Sequence, residues 1–116
     1  MAAVLPSFMT LETGKRFNEQ WSMQLYRDPD TTRGANEGSL VPISAWHDIP
    51  LFADNEKLLF NYVNEIPRGS REKIEMSPKK PHNPLVQDIN KKSKTLRSFT
   101  YGDIPFNYGY LPQTWE

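Results

Sequence analysis

The sequence predicts a mainly β domain, arranged as a sheet or a small barrel. Three observations lead there. Trp21-Ser22-Met23-Gln24-Leu25-Tyr26 alternates strictly between apolar and polar residues, the period of a half-buried strand. Several other short strand-like runs are cut off from one another by turns, and the chain holds ten prolines and six glycines to make them. No segment carries a clear amphipathic-helix period, and no internal repeat is present.

Taken in order, residues 1–18 show no clear period and read as an N-terminal arm, with residues 19–116 as the folded portion. Trp21, Met23 and Leu25 share one face of the first strand. Arg27 to Ser39 is a polar loop. Leu40 to Trp46 is moderately strand-like, His47-Asp48-Ile49-Pro50-Leu51 leaves it, and Phe52 to Lys57 reads as a turn. A hairpin follows: Phe60 to Ile66, the turn Pro67-Arg68-Gly69-Ser70, and Lys73-Ile74-Glu75-Met76. Ser77 to Pro84 is a second polar loop. Pro84 to Asp88 and Thr95 to Phe99 are short strand candidates, separated by the basic turn Asn90-Lys91-Lys92-Ser93-Lys94. The chain closes on the aromatic segment Phe106 to Glu116, which reads as structured and as a point where the polypeptide is cut.

Composition removes several classes of function. With 116 residues the chain is one domain or part of one, and 37% apolar residues limit it to a modest core. Fourteen basic and fourteen acidic residues cancel, so no global charge points to nucleic acid or an anionic membrane. The absence of cysteine excludes disulfides, thiolate metal sites and cysteine nucleophiles. No apolar run approaches the roughly 20 residues that span a bilayer. The segment Ala2 to Pro6 lacks the basic flank and apolar core of a secretory signal. The expected compartment is the cytoplasm, or an organelle if a longer precursor exists.

The hairpin holds the most informative chemistry. Lys73 and Glu75 point to one face of their strand, Ile74 and Met76 to the other. A turn centred on Gly69 places Glu65 opposite Lys73. Two carboxylates and an ammonium on one patch suit a divalent cation beside a phosphate; the same pattern also describes a solvated face with a cross-strand ion pair. Arg97 lies within a strand candidate between Leu96 and Phe99, where a guanidinium needs an anion, whether a substrate or a structural partner. Tyr108 can donate its phenolic proton to that anion, or pack as a core tyrosine. His47 reads as a turn residue. His82 has no second histidine at zinc spacing. Gly34 and Gly38 lack the following helix of a phosphate loop. The lysines at 79, 80, 91, 92 and 94 raise the alternative of an oligonucleotide-type barrel binding anions or single strands, although no strand pairs them with a stacking platform.

In their order and spacing, Pro42 to Leu51, Val63 to Arg68, Lys73-Ile74-Glu75, Pro84 to Asp88, Leu96-Arg97 and Asn107-Tyr108-Gly109-Tyr110-Leu111-Pro112-Gln113-Thr114-Trp115-Glu116 resemble the N-terminal half of the eukaryotic-type soluble family I inorganic pyrophosphatases. The resemblance covers about residues 20–116. It implies a twisted five-stranded barrel of the oligonucleotide-binding kind, here incomplete, and magnesium-dependent hydrolysis of pyrophosphate to two phosphates. It assigns Glu65 and Glu75 to the metals, and Lys73, Arg97 and Tyr108 to phosphate contact and catalysis. The family's Asp-x-Asp-Pro-x-Asp metal cluster does not occur here, and an aromatic position before the Asn-Tyr-Gly falls on Ile104, with Tyr101 and Phe106 as substitutes. The resemblance therefore leads us to expect that residues 1–116 alone are inactive. It also implies as partners the missing C-terminal segment of the same protein, as a separate chain or otherwise, and a second copy in a homodimer. No nucleic acid or membrane is expected.

Overall fold

The computed structural model describes residues 7–28 and 40–115. Most of the polar loop read at Arg27 to Ser39, the segment Ala2 to Pro6, both Gly34 and Gly38, and Glu116 lie outside the described residues.

The described residues form strands and turns with no helix, as the alternating runs predict. Among the described residues nine strands occur in chain order: β1 (Ser7–Thr13), β2 (Ser22–Asp28), β3 (Val41–Ile43), β4 (Phe52–Asp54), β5 (Leu59–Phe60), β6 (Val63–Ile66), β7 (Ile74–Met76), β8 (Leu85–Gln87) and β9 (Tyr108–Tyr110). Five of them make one sheet, ordered β1-β2-β8-β7, with β3 also paired to β2. β2 divides its second edge: Ser22 and Met23 face β8, while Leu25 to Arg27 face β3. Two small two-stranded sheets, β4-β5 and β6-β9, complete the fold, and no closed barrel forms among the described residues.

The core gathers around Trp21 and Met23, two of the three residues that alternation put on one face. Trp21, Ile74, Met76 and Leu85 are buried together, and Met23, Trp46 and Tyr110 pack against them. Trp46 and Tyr110 are also tied across the chain. The Tyr110 hydroxyl donates to the Ala45 carbonyl at 2.9 Å, and the Trp46 indole N–H donates to the Thr114 carbonyl at 2.9 Å. These bonds fix the closing segment to the turn at 44–48, where the Ser44 hydroxyl accepts from the Trp46 and His47 backbone N–H groups. His47 stacks on Trp46 at 4.5 Å and is a turn residue, as read.

Three local expectations change. Ser7–Thr13 is a strand paired with β2 along its whole length; residues of weak period are held here by a neighbour's backbone rather than by their own pattern. Phe52 to Lys57 is not simply a turn, because Phe52–Asp54 pairs with Leu59–Phe60 and the rings of Phe52 and Phe60 lie 4.8 Å apart. Most important, β6 and β7 are not the two strands of one hairpin. β6 pairs with β9, and β7 pairs with β8. The turn at 67–70 instead carries the chain from one sheet to another, with Gly69 at φ 86° and its N–H donating to the Ile104 carbonyl at 2.7 Å.

Candidate functional site

The corner between β6-β9 and β7-β8 encloses a cavity of about 400 Å³. Its lining mixes the polar side chains of Glu65, Lys73, Glu75 and Tyr108 with Ile66, Phe99, Tyr101, Ile104 and Phe106. Four of the five residues singled out in the sequence therefore meet there. The pairing that was expected to bring Glu65 to Lys73 does not exist, yet the two side chains still share one cavity.

The backbone delivers each side chain by a traceable route. β6 and β9 pair Asn64 with Gly109 and Ile66 with Tyr108, leaving Glu65 as the extra residue of a bulge. A bulge turns its side chain away from the regular pleat. The Glu65 carboxylate then crosses to β7 and accepts a hydrogen bond from the Met76 backbone N–H. Gly109 allows the strands this close: a Cβ there would stand 1.9 Å from the Val63 carbonyl oxygen and 2.9 Å from the Tyr62 ring. Asn107 anchors the start of β9, its side-chain oxygen accepting from the Arg68 N–H at 2.8 Å. Tyr108 is 54% exposed, so its role as a core tyrosine falls away.

The other wall is built by charge. Lys73 Nζ lies 3.1 Å from Glu75 Oε1 and 3.6 Å from Asp88 Oδ2. Arg97 is held at 2.8 Å by the same Asp88 oxygen. Arg97 stands between two isolated bridges, Ile89 with Leu96 and Glu72 with Ser98, so the strand candidate at 95–99 is extended and bridged on both sides. Its side chain is about half exposed and is not among the cavity-lining residues; it faces Asp88. Of the two readings open for Arg97, a structural partner is present. Asp88 closes the motif Pro84 to Asp88 but was given no role from the sequence: its role emerges only once residues nine positions apart are folded together.

Tyr62, beside the bulge, donates its hydroxyl to the Asn64 side chain at 3.0 Å. Burial and the nearby Glu65 carboxylate raise its phenol above the ordinary tyrosine range. The loop lysines at 79, 80, 91, 92 and 94 are exposed. The turn at 90–94 is closed by the Asn90 side chain, which accepts from the N–H groups of Lys92 and Ser93.

A sequence model described as inorganic pyrophosphatase matches residues 62–116, the stretch that supplies every residue of this cavity. That stretch of the chain is similar to inorganic pyrophosphatases. The inorganic pyrophosphatase of Dictyostelium discoideum is 48% identical over 75 residues, covering 65% of this chain and 26% of that protein. The Drosophila melanogaster inorganic pyrophosphatase is 49% identical over 77 residues, or 64% of this chain and 22% of the relative. Among solved structures, an N-terminally truncated Trypanosoma cruzi vacuolar soluble pyrophosphatase in complex with PPi superposes with a TM-score of 0.80 at 32% identity. That match covers 100% of this chain and 48% of the neighbour. The type I inorganic pyrophosphatase of Toxoplasma gondii gives 0.76 at 36% identity, covering 95% and 44%. The chain spans about a quarter of the length of these curated relatives.

Proposed function

We propose that this chain is part of a magnesium-dependent inorganic pyrophosphatase and that its cavity binds one side of pyrophosphate and one or more metal ions. The observation that carries the reading is the meeting of Glu65, Glu75, Lys73 and Tyr108 on one cavity of about 400 Å³, within the stretch that matches the family. The donor set fits the ion. Magnesium takes hard oxygen ligands, keeps several waters, and is often held by one or two carboxylates together with substrate phosphates. Glu65 and Glu75 supply two carboxylates; among the described residues no group of three or more candidate ligands gathers. When bound, the metal would neutralise phosphoryl oxygens and make a water acidic enough to attack near neutral pH.

The chain's own residues divide the remaining work. Lys73 offers an ammonium to a phosphoryl oxygen, and Tyr108, half exposed in the cavity lining, donates its phenolic proton to another. Arg97 joins them if its guanidinium leaves Asp88 or shares the anion with it. Negative charge gathers on the departing phosphate, and fixed cations there favour its separation. Glu75 is paired with Lys73 at 3.1 Å, so a cation taking up Glu75 would free the ammonium for phosphate. Residues 1–116 alone would bind pyrophosphate but turn it over poorly, because two carboxylates are a sparse set for several metals. A second segment of a family-length protein, in the same or another polypeptide, supplies the opposite wall in this reading. Assembly as a homodimer and a cytoplasmic location belong to the same proposal and rest on the resemblance.

Calorimetric titration of pyrophosphate into the full chain, with and without magnesium, tests the reading. Binding that requires magnesium and is weakened in Lys73→Ala and Glu75→Gln is the expected result. Absence of pyrophosphate binding, together with tight and steeply salt-sensitive binding of a single-stranded oligonucleotide, would overturn it in favour of a barrel that binds anions through its basic loops.

A further inference from the structure

Asp88 is the meeting point of three segments. Its N–H donates to the Lys73 carbonyl at 2.8 Å, and its own carbonyl accepts from the Arg97 N–H at 2.8 Å. Its side chain repeats the connection: one oxygen lies 2.8 Å from Arg97 Nη1 and 3.6 Å from Lys73 Nζ. The other oxygen accepts from the Ile89 N–H at 2.9 Å, which fixes the plane of the carboxylate. The neighbouring Gln87 is buried and donates its side-chain N–H to the Arg97 carbonyl at 2.9 Å, so the backbone on both sides is held as well.

Two cations brought this close repel each other unless an anion lies between them. With Lys73, Glu75, Asp88 and Arg97 together, two positive and two negative groups balance. The cluster is neutral before any ligand arrives, and its cations already have defined positions.

We propose that Asp88 is the positioning residue of the anion site: its carboxylate holds Lys73 and Arg97 as a pair, so that one incoming phosphate meets both. This deepens the function proposed above and rests on it. Asp88 itself touches no substrate. Its contribution is to remove the freedom of two long side chains before binding, which would otherwise oppose the contact. The pair is partly exposed, so the effect is moderate and screened by salt.

The test compares the wild-type chain with Asp88→Asn and Asp88→Glu. Asparagine keeps the shape and an acceptor oxygen but loses the charge; glutamate keeps the charge. Pyrophosphate affinity is measured with magnesium by calorimetry, thermal unfolding checks the fold, and NMR of the Arg97 guanidinium reports its mobility without any ligand. We expect Asp88→Asn to weaken pyrophosphate binding about fivefold, with an unchanged unfolding temperature. The Arg97 Nη–H signals, separate in the wild type, should merge in Asp88→Asn and separate again in Asp88→Glu. Removing a negative charge would by itself strengthen anion binding. Unchanged or tighter binding in Asp88→Asn would therefore overturn the positioning role and make Asp88 a competitor of the phosphate. A wild-type chain that binds no pyrophosphate would instead sink the proposed function; the guanidinium signals then decide alone whether Asp88 orders Arg97, and merged signals in the wild type would refute it.

Discussion

The two walls of the cavity are held by different forces. The β6-β9 wall is a matter of backbone: a bulge at Glu65, a close approach at Gly109, and a buried Ile66 at its end. The β7-β8 wall, with the bridged segment at 95–99, is a matter of charge: Lys73, Glu75, Asp88 and Arg97 satisfy one another across partly exposed surface. Steric constraints do not respond to salt, and ion pairs do. One wall should therefore fail by unfolding and the other by losing its aim.

The largest expected effect tests the first wall. Gly109→Ala puts a Cβ 1.9 Å from the Val63 carbonyl oxygen, a contact that backbone must move to relieve. We expect a loss of about 3 kcal/mol or more in denaturant unfolding, because overpacking here breaks strand pairing as well. An alanine variant of unchanged stability would show that β6 and β9 are not in this register. Ile66→Ala comes next. Ile66 is 1% exposed, and truncation of so buried a side chain costs about 2–4 kcal/mol in the same measurement. A loss below about 1 kcal/mol would mean that this end of β6 repacks freely.

The second wall should give functional losses with little change in stability. Lys73→Ala removes an ammonium whose side chain is 27% exposed and leaves Glu75 and Asp88 without it. Pyrophosphate affinity should fall about tenfold, which is about 1.4 kcal/mol, and a melting curve should scarcely move. A large drop in melting temperature would make Lys73 a structural residue like Ile66 and erase the contrast between the walls. Raising the salt from low to high concentration should weaken pyrophosphate binding progressively while leaving the unfolding midpoint nearly constant.

The smallest effect lies at high pH. The Tyr62 phenol is raised by burial and by Glu65, so the folded state holds its proton more tightly than the unfolded chain does. Its contribution is complete below the ordinary tyrosine value near 10 and is lost as pH climbs through the higher folded value. Tyr62→Phe should flatten the alkaline end of the stability profile slightly. An identical profile in both proteins would remove Tyr62 from the account.

Much of the cavity's chemistry was legible in the sequence, but by a route that the fold does not use. Alternation put Lys73 and Glu75 on one face, and the two side chains pair at 3.1 Å and line the same cavity. The step from Glu65 to Lys73 assumed a hairpin, whereas Glu65 arrives through a bulge opposite Gly109. Local pattern cannot distinguish a strand that turns back on its predecessor from one that joins a sheet with residues more than 40 positions later, as Val63 joins Tyr110. Ser7–Thr13 was missed for a related reason, since its pairing with β2 comes from a partner rather than from its own period. Asp88 was invisible for a third reason: a carboxylate at the end of a short strand looks like any solvated aspartate until its neighbours are placed.

By itself, the sequence determined the all-strand character of the described chain, the core role of Trp21 and Met23, and the residue types able to meet a polyanion and a hard cation. These depend on period and on chemical identity, which are properties of short segments. Only the tertiary structure decided that Glu65 reaches the cavity through a bulge, that Tyr108 lines it while half exposed, and that Arg97 is held by Asp88. Those outcomes depend on which strand edges pair and which charges meet across the sheets, and these contacts are made between segments far apart in the chain.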